Sequence, residues 1–350
     1  MLGGLSQYAF LNAKVRGMMS RLLDEEQIRA LANCADLDHA LVVLKDTPYG
    51  YLVTQLSETP RLSELERLLL LDEAAAYREI AGLTKGSVEQ VFEILESWYE
   101  LEDLKGALRA WVRSRAGAPS DFMPLGVGDL PLEEILQAES LEQVALLLKG
   151  TPYGSTLLSA SPLFQSRKSV FVLEIALDQS YYRRLWSSLE TLSERDRRVA
   201  SRLVGIEVDL KNLQWILRGI MYYRIPTAEL LEDLIPHGWR IQPSVTRKAL
   251  EKSDVTDVLE QLALGPYQEL LSGWLARAPR ESAALLEGIL WEILLRQVRL
   301  SLAGFPFTIG TPLAYCFLKR LEVQNLIRLL ESIAMEIPPD EIGGFPVNVR

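Results

Sequence analysis

The chain of 350 residues carries 47 acidic and 37 basic side chains, and its net charge of −10 argues against general nucleic-acid binding, which requires a basic face. Hydrophobic residues make up 48% and charged residues 24%, as in soluble globular proteins, and the length predicts two or three domains. Residues 1–10 lack the features of a signal peptide. Charged side chains interrupt the most apolar stretch, residues 283–305, so no membrane span is predicted.

Helical periodicity dominates the chain. Apolar residues recur at steps of three and four over residues 62–69 and again over residues 210–221. Ser63 and Ser140 are each followed three residues later by Glu or Gln, the spacing of a capping box, and predict helix starts. Alternating strand patterns are scarce. The sequence therefore predicts an all-α fold.

A proline-containing segment occurs three times, reading DLDHALVVLKDTPYG, SLEQVALLLKGTPYG and DVTDVLEQLALGPYQ. Proline disfavours helical geometry at the preceding residue, so each segment predicts a corner between two helices, with proline as the first residue of the second helix. Thr47, Thr151 and Gly265 would cap these helices. The tyrosine after each proline is predicted to pack into the corner, and a ligand role is the alternative. The residues concerned are Pro48, Tyr49, Pro152, Tyr153, Pro266 and Tyr267.

A second motif recurs in step with the first, at Asp103–Lys105, Asp209–Leu213 and Glu322–Leu326. Asp209 and Asn212 are three residues apart, so they share one helix face and can hold a neighbouring helix end. Glu322 and Asn325 are the corresponding residues of the third copy. A weaker third marker is an arginine near the end of a long apolar helix, at Arg78, Arg183 and Arg296. Three markers in one order, with a period near 110 residues, predict a triplicated domain with limits 1–118, 119–225 and 226–350.

The residues offer little for catalysis. Neither His39 nor His237 lies in a metal-binding motif, and Cys34 and Cys316 fit small core residues better than a disulfide. The glycine-rich segment 150–156 lacks the lysine and the spacing of a phosphate-binding loop. The sequence therefore predicts no catalytic residue, no metal site and no cofactor.

Several segments together resemble a known family. They are YAFLNAKVR at residues 8–16, the two TPYG corners, EVDLKNL at residues 207–213 with Arg218, and GTPLAY at residues 310–315 ahead of EVQNL. In their order and spacing the chain resembles the C subunit of the archaeal and bacterial V/A-type ATP synthases, whose eukaryotic relative is the d subunit of V-ATPase. The chain departs from that pattern at Gly106, where the family has asparagine, and at Gln268, where the corner has glycine.

The resemblance implies three similar helical domains that form a funnel with pseudo-threefold symmetry. It implies a non-catalytic rotor subunit, peripheral to the cytoplasmic face of the membrane, that couples the central shaft, formed by the D and F subunits, to the membrane rotor ring of proteolipid subunits. Two alternatives remain open from the residues alone. One is a helical protein-binding scaffold unrelated to rotary motors, and the other is an enzyme with an unrecognised acid–base site.

Overall fold

The computed structural model describes residues 2–57, 61–115, 117, 122–219, 230–232, 234–251, 255–262, 267–268 and 283–337. Over these ranges the chain is predominantly helical and contains no β-strand, which confirms the all-α prediction. No helix in the same ranges is long and apolar enough to cross a membrane. The helices are α1 (Leu2–Met19), α2 (Glu25–Ala32), α3 (Leu37–Lys45), α4 (Gly50–Val53), α5 (Leu62–Leu83), α6 (Ser87–Arg115), α7 (Leu132–Gln137), α8 (Leu141–Leu147), α9 (Gly154–Arg167), α10 (Val170–Glu190), α11 (Glu194–Arg218), α12 (Pro243–Leu250), α13 (Val255–Leu262), α14 (Ala283–Leu302) and α15 (Gly310–Ala334).

Short polar side chains cap several of these helices. The Ser140 side chain accepts the backbone N–H of Gln143 at 3.2 Å, so α8 begins where the sequence predicts. The predicted start at Ser63 is wrong, because α5 already begins at Leu62. Glu64 in the first turn of α5 instead accepts the backbone N–H and the hydroxyl of Ser57, which ties the preceding segment to the helix.

Contacts divide the chain into two compact units, and the first comprises Met1–Ala76 and Leu192–Arg350. One cluster of buried apolar residues in this unit combines the N-terminal helices with α15, the last helix described. Members include Leu23, Leu31, Leu44, Leu69, Val323, Leu326 and Leu330. Segments near both ends of the chain thus share one hydrophobic core, and burial of this apolar surface is the main force that holds them together.

The second unit comprises Tyr77–Thr191. Helix α10 packs against both α6 and α9. Trp98 of α6 lies edge-on to Tyr181 of α10, with ring centroids 5.1 Å apart, and Tyr182 lies edge-on to Tyr181 in turn. Two units are within the two or three domains that the length predicts, and the limits 118 and 225 of the three predicted domains remain predictions.

Candidate functional site

The TPYG corners are tight turns whose helices begin at the glycine. The Thr47 hydroxyl accepts the N–H of Tyr49 at 3.2 Å and donates to the carbonyl of Leu44 at 2.7 Å. Helix α4 begins at Gly50, so the prediction that Pro48 is the first helical residue is wrong by two residues. The reason is that residues 47–50 first form a four-residue turn, in which the Gly50 N–H donates to the Thr47 carbonyl at 3.0 Å.

The second corner has the same hydrogen bonds to the threonine hydroxyl. The Thr151 hydroxyl accepts the N–H of Tyr153 at 3.2 Å, and α9 begins at Gly154 rather than at Pro152. In both corners the glycine lies against the end of the preceding helix. A Cβ on Gly50 would lie 2.2 Å from the Lys45 carbonyl oxygen, so only glycine fits there. Pro266 and Gly265 of the third corner lie outside the described residues.

The first corner is bonded to α15. Tyr49 is 2% exposed, and its hydroxyl donates to the Glu322 carboxylate at 2.5 Å. Lys319 donates to the same hydroxyl at 2.9 Å, and the second Glu322 oxygen accepts the backbone N–H of Leu23 at 2.6 Å. Tyr49 and Glu322 are 273 residues apart in sequence. This cluster therefore fixes the last described helix to the N-terminal helices.

Tyr267 makes an equivalent bond to Asp209 of α11. Both side chains are completely buried, and the Tyr267 hydroxyl donates to the Asp209 carboxylate at 2.6 Å. The same carboxylate accepts the backbone N–H groups of Arg240 and Ile241 at 2.8 and 2.9 Å. Three donors thus satisfy one buried carboxylate, which is the condition under which a buried charge is tolerated.

Asn212 holds the same segment one turn further along α11. Its side-chain amide donates to the Ile235 carbonyl and accepts the Ile235 N–H, both at 2.8 Å. Asp209 and Asn212 therefore clamp the non-helical segment 235–241, whereas the sequence analysis expected them to hold a neighbouring helix end. Asn325 on α15 is half-buried.

In the second unit Tyr153 is 1% exposed and lies beside Glu100 of α6, and burial and this carboxylate raise the pKa of its phenol. Asp103, one turn further along α6, accepts the N–H groups of Leu125 and Gly126 at 2.7 and 2.9 Å. Asp103 thus binds backbone N–H groups of the segment after α6, as Asp209 binds those of the segment after α11.

Each of the three tyrosines lies beside a carboxylate. Tyr49 and Tyr267 donate a hydrogen bond to it, whereas the Tyr153 hydroxyl forms none within the described residues. In each case the carboxylate belongs to a helix that carries a copy of the second motif. It is Glu100 of α6 for Tyr153, Asp209 of α11 for Tyr267, and Glu322 of α15 for Tyr49. These pairings were not predicted from the sequence, in which both motifs recur in step but nothing local shows that they are in contact.

A second buried charge cluster joins three helices of the first unit. Arg320 of α15 contacts Glu207 of α11 at 2.5 Å and Glu73 of α5 at 3.3 Å. All three side chains are less than 10% exposed. Sequence reasoning missed Glu73 and Arg320, because neither lies in a recurring motif.

Burial dominates the electrostatics of these clusters. It raises the pKa of Asp209 to about 6, against the opposing effect of the donors from Tyr267, Arg240 and Ile241. It also raises the pKa of Glu322, although Tyr49 and Lys319 favour the ionised carboxylate. The buried phenols Tyr49 and Tyr267 have pKa values above the ordinary range for the same reason, and they act as hydrogen-bond donors.

We expect the contribution of Asp209 to stability to fall as pH rises. Its pKa of about 6 in the folded state exceeds the ordinary 3.8, so the folded state holds the proton more tightly between about pH 4 and 6. The free energy of unfolding should lose about 3 kcal/mol across that window relative to Asp209→Asn, and then level off. Denaturant titrations of both proteins at several pH values measure this. A difference that stays constant or grows with pH would mean that the three donors keep Asp209 ionised.

The arrangement serves to hold helices together. Tyrosine hydroxyls and backbone N–H groups occupy the carboxylate oxygens of Asp209 and Glu322. The described residues contain no group of three or more His, Cys, Asp or Glu side chains that could hold a metal ion. Cys34 and Cys316 are free thiols, the first half-buried and the second buried.

Residues 11–345 match the family model described as ATP synthase (C/AC39) subunit. The chain is 23% identical over 350 residues to the C subunit of the A-type ATP synthase of Methanocaldococcus jannaschii, an alignment that covers 99% of this chain and 87% of that protein. It is 25% identical over 338 residues to the C subunit of the A-type ATP synthase of Thermococcus gammatolerans, covering 96% of this chain and 88% of that protein.

Proposed function

Because the chain belongs to the ATP synthase (C/AC39) subunit family, we propose that it is the non-catalytic central-stalk rotor subunit of a V/A-type rotary ATPase. In this role it couples the central shaft, formed by the D and F subunits, to the proteolipid ring on the cytoplasmic face of the membrane. The observation that carries the proposal is the family match over 335 residues (11–345). Relatives whose alignments cover 96–99% of this chain are C subunits of A-type ATP synthases.

The buried clusters support a mechanical role. A rotor adapter must resist deformation while it transmits torque between two interfaces. In the first unit, Glu322 and Arg320 bond α15 to segments that are 247 to 299 residues away in sequence. Deforming the unit would separate these buried charges from their partners, which costs several kcal/mol for each broken pair. The helices are therefore held in one arrangement.

The recurring corners support the proposed shape. We propose three similar helical domains, residues 1–118, 119–225 and 226–350, that form a funnel around a pseudo-threefold axis. A tyrosine beside an acidic residue recurs at Tyr49, Tyr153 and Tyr267, once for each proposed domain. A threefold body offers a roughly circular footprint, which suits a rotor ring.

Purification of the chain in its native complex tests this proposal. With an affinity tag on this chain and mild detergent, the D and F subunits and the proteolipid ring are expected to co-purify, and mass spectrometry identifies them. Recovery after a high-salt wash separates specific partners from weak ionic contacts. If the chain instead recovers a reproducible set of proteins that lacks the shaft and the ring, the alternative of an unrelated helical scaffold replaces the rotor role.

A further inference from the structure

A groove of about 600 Å³ lies in the first unit between the N-terminal half of α11 and the C-terminal end of α14. Arg195, Arg198 and Arg202 line it from α11, at steps of three and four residues. They therefore form one stripe along the helix, about 10 Å long at 1.5 Å per residue.

Apolar side chains line the groove beside the arginines. Leu300 and Phe305 are 55% and 51% exposed, and together they leave an apolar patch in the groove. Val199 and Leu203 of α11 belong to the same lining. The groove thus presents a basic stripe next to an apolar surface.

The charge of the groove is opposite to that of the chain. The chain as a whole carries −10, whereas the residues that line the groove include three arginines and no acidic side chain. Of the acidic neighbours, Asp196 is buried and accepts the backbone N–H of Ile309 at 2.9 Å. Glu194 pairs with Arg198 at the surface, where both are more than 75% exposed, and such pairs are weak.

Two of the arginines are held in place by neighbouring groups. The guanidinium of Arg195 lies over the Phe305 ring at 4.8 Å, and that of Arg202 lies over the Trp239 ring at 5.2 Å while it donates to Gln297. Their rotamer freedom is already reduced, so less entropy is lost when a partner binds.

We propose that this groove binds an acidic amphipathic α-helix of a partner protein. Carboxylates at positions i, i+3 and i+7 of a helix repeat with the same rise as Arg195, Arg198 and Arg202, so the two stripes can pair along their length. The apolar face of the same helix would cover Leu300 and Phe305, the helix-in-groove mode of recognition. A concave lining suits a helix better than a flat lipid surface. The inference depends on the groove alone and would survive failure of the rotor role.

Binding of a designed peptide to the full chain tests this proposal. The probe is a fluorescein-labelled, end-capped 18-residue helix with a stripe of glutamates at i, i+3 and i+7 beside a stripe of leucines. Its control has glutamine in place of every glutamate. Fluorescence anisotropy is expected to show saturable binding in the micromolar range for the glutamate peptide, at least about tenfold weaker binding for the glutamine peptide, and weakening with added salt.

Matched variants locate the binding surface. Arg198→Glu should weaken binding about tenfold, whereas Arg29→Glu should leave it unchanged. Arg29 is a matched control because it forms an exposed i,i+4 ion pair with Glu25, as Arg198 does with Glu194, but does not line the groove. Leu300→Gln should weaken binding, and Leu158→Gln, at a site 50% exposed on α9, should not.

Several results would overturn the proposal. Equal affinity for both peptides, equal effects of Arg198→Glu and Arg29→Glu, or no saturable binding up to about 1 mM would each exclude this partner. Vesicles of phosphatidylglycerol provide the remaining comparison. Arg198-dependent vesicle binding that the glutamate peptide does not displace would assign the groove to an anionic membrane surface instead.

Discussion

Removal of this chain from the assembled ATPase is expected to abolish ATP-driven ion pumping while the detached catalytic head continues to hydrolyse ATP. In the proposed role the chain contributes binding and stiffness between shaft and ring. Without it, rotation of the shaft would no longer be transmitted to the ring. The measurement pairs ATP hydrolysis by the detached head with ion uptake into vesicles that contain the membrane part, each with and without this chain.

Re-addition provides the control for this experiment. Purified chain added back to the depleted complex should restore ion uptake without changing the rate of hydrolysis by the detached head. Ion pumping that persists in vesicles shown to lack the chain would refute the adapter role. Loss of hydrolysis in a correctly assembled detached head would instead point to a catalytic contribution. Neither outcome bears on the groove between α11 and α14, which the peptide experiment tests separately.

The fold class and the family could be predicted from the sequence because both depend on local patterns. The apolar spacing at 62–69 corresponds to α5, and the spacing at 210–221 corresponds to α11 as far as Arg218, whereas Ile220 and Met221 lie outside the described residues. The all-α prediction is confirmed. The match to the C/AC39 family over residues 11–345 confirms the resemblance inferred from the scattered motifs. Helix starts were less accurate. The errors at Pro48 and Pro152 arose because a short turn, closed by a threonine, precedes each helix.

The partners of the recurring residues could not be predicted, because they are remote in sequence. Periodicity shows that Asp209 and Asn212 share a helix face, but it does not show that this face clamps residues 235–241. Nothing local to Tyr49 indicates that Glu322, 273 residues later, accepts its hydroxyl proton in a hydrogen bond. The requirement for glycine at position 50 could not be predicted either, because it depends on a contact with the Lys45 carbonyl that exists only after the corner has formed.

These long-range polar contacts complement the apolar core. Apolar packing is non-directional and tolerates alternative arrangements of similar volume. A buried carboxylate such as Glu322 tolerates only the arrangement in which its donors are present, because an unpaired buried charge is costly. We therefore expect the clusters at Glu322 and Asp209 to determine which helices pack together, and the surrounding leucines to supply most of the stabilising free energy.

Truncation of the corner tyrosines is expected to have the largest effect on stability. Tyr49→Ala removes a completely buried ring and should lower the free energy of unfolding by about 3–5 kcal/mol. It also deprives Glu322 and Lys319 of the hydroxyl that both contact. Tyr153→Ala should cost about the same, because Tyr153 is equally buried. Thermal and denaturant melts measure the loss, and hydrogen exchange shows which of the two units opens.

Phenylalanine variants separate the ring from the hydroxyl. Tyr49→Phe keeps the ring but removes the donor to Glu322, so we expect a cost of about 1–3 kcal/mol. Within the described residues the Tyr153 hydroxyl lies beside Glu100 without a well-formed hydrogen bond, so Tyr153→Phe should change the free energy of unfolding by less than about 1 kcal/mol. A melt unchanged by Tyr153→Ala would show that the corner does not depend on its tyrosine. An equal loss in the free energy of unfolding for the two phenylalanine variants would show that the hydrogen bond from Tyr49 to Glu322 does not stabilise the first corner. Burial of the ring alone would then stabilise both corners.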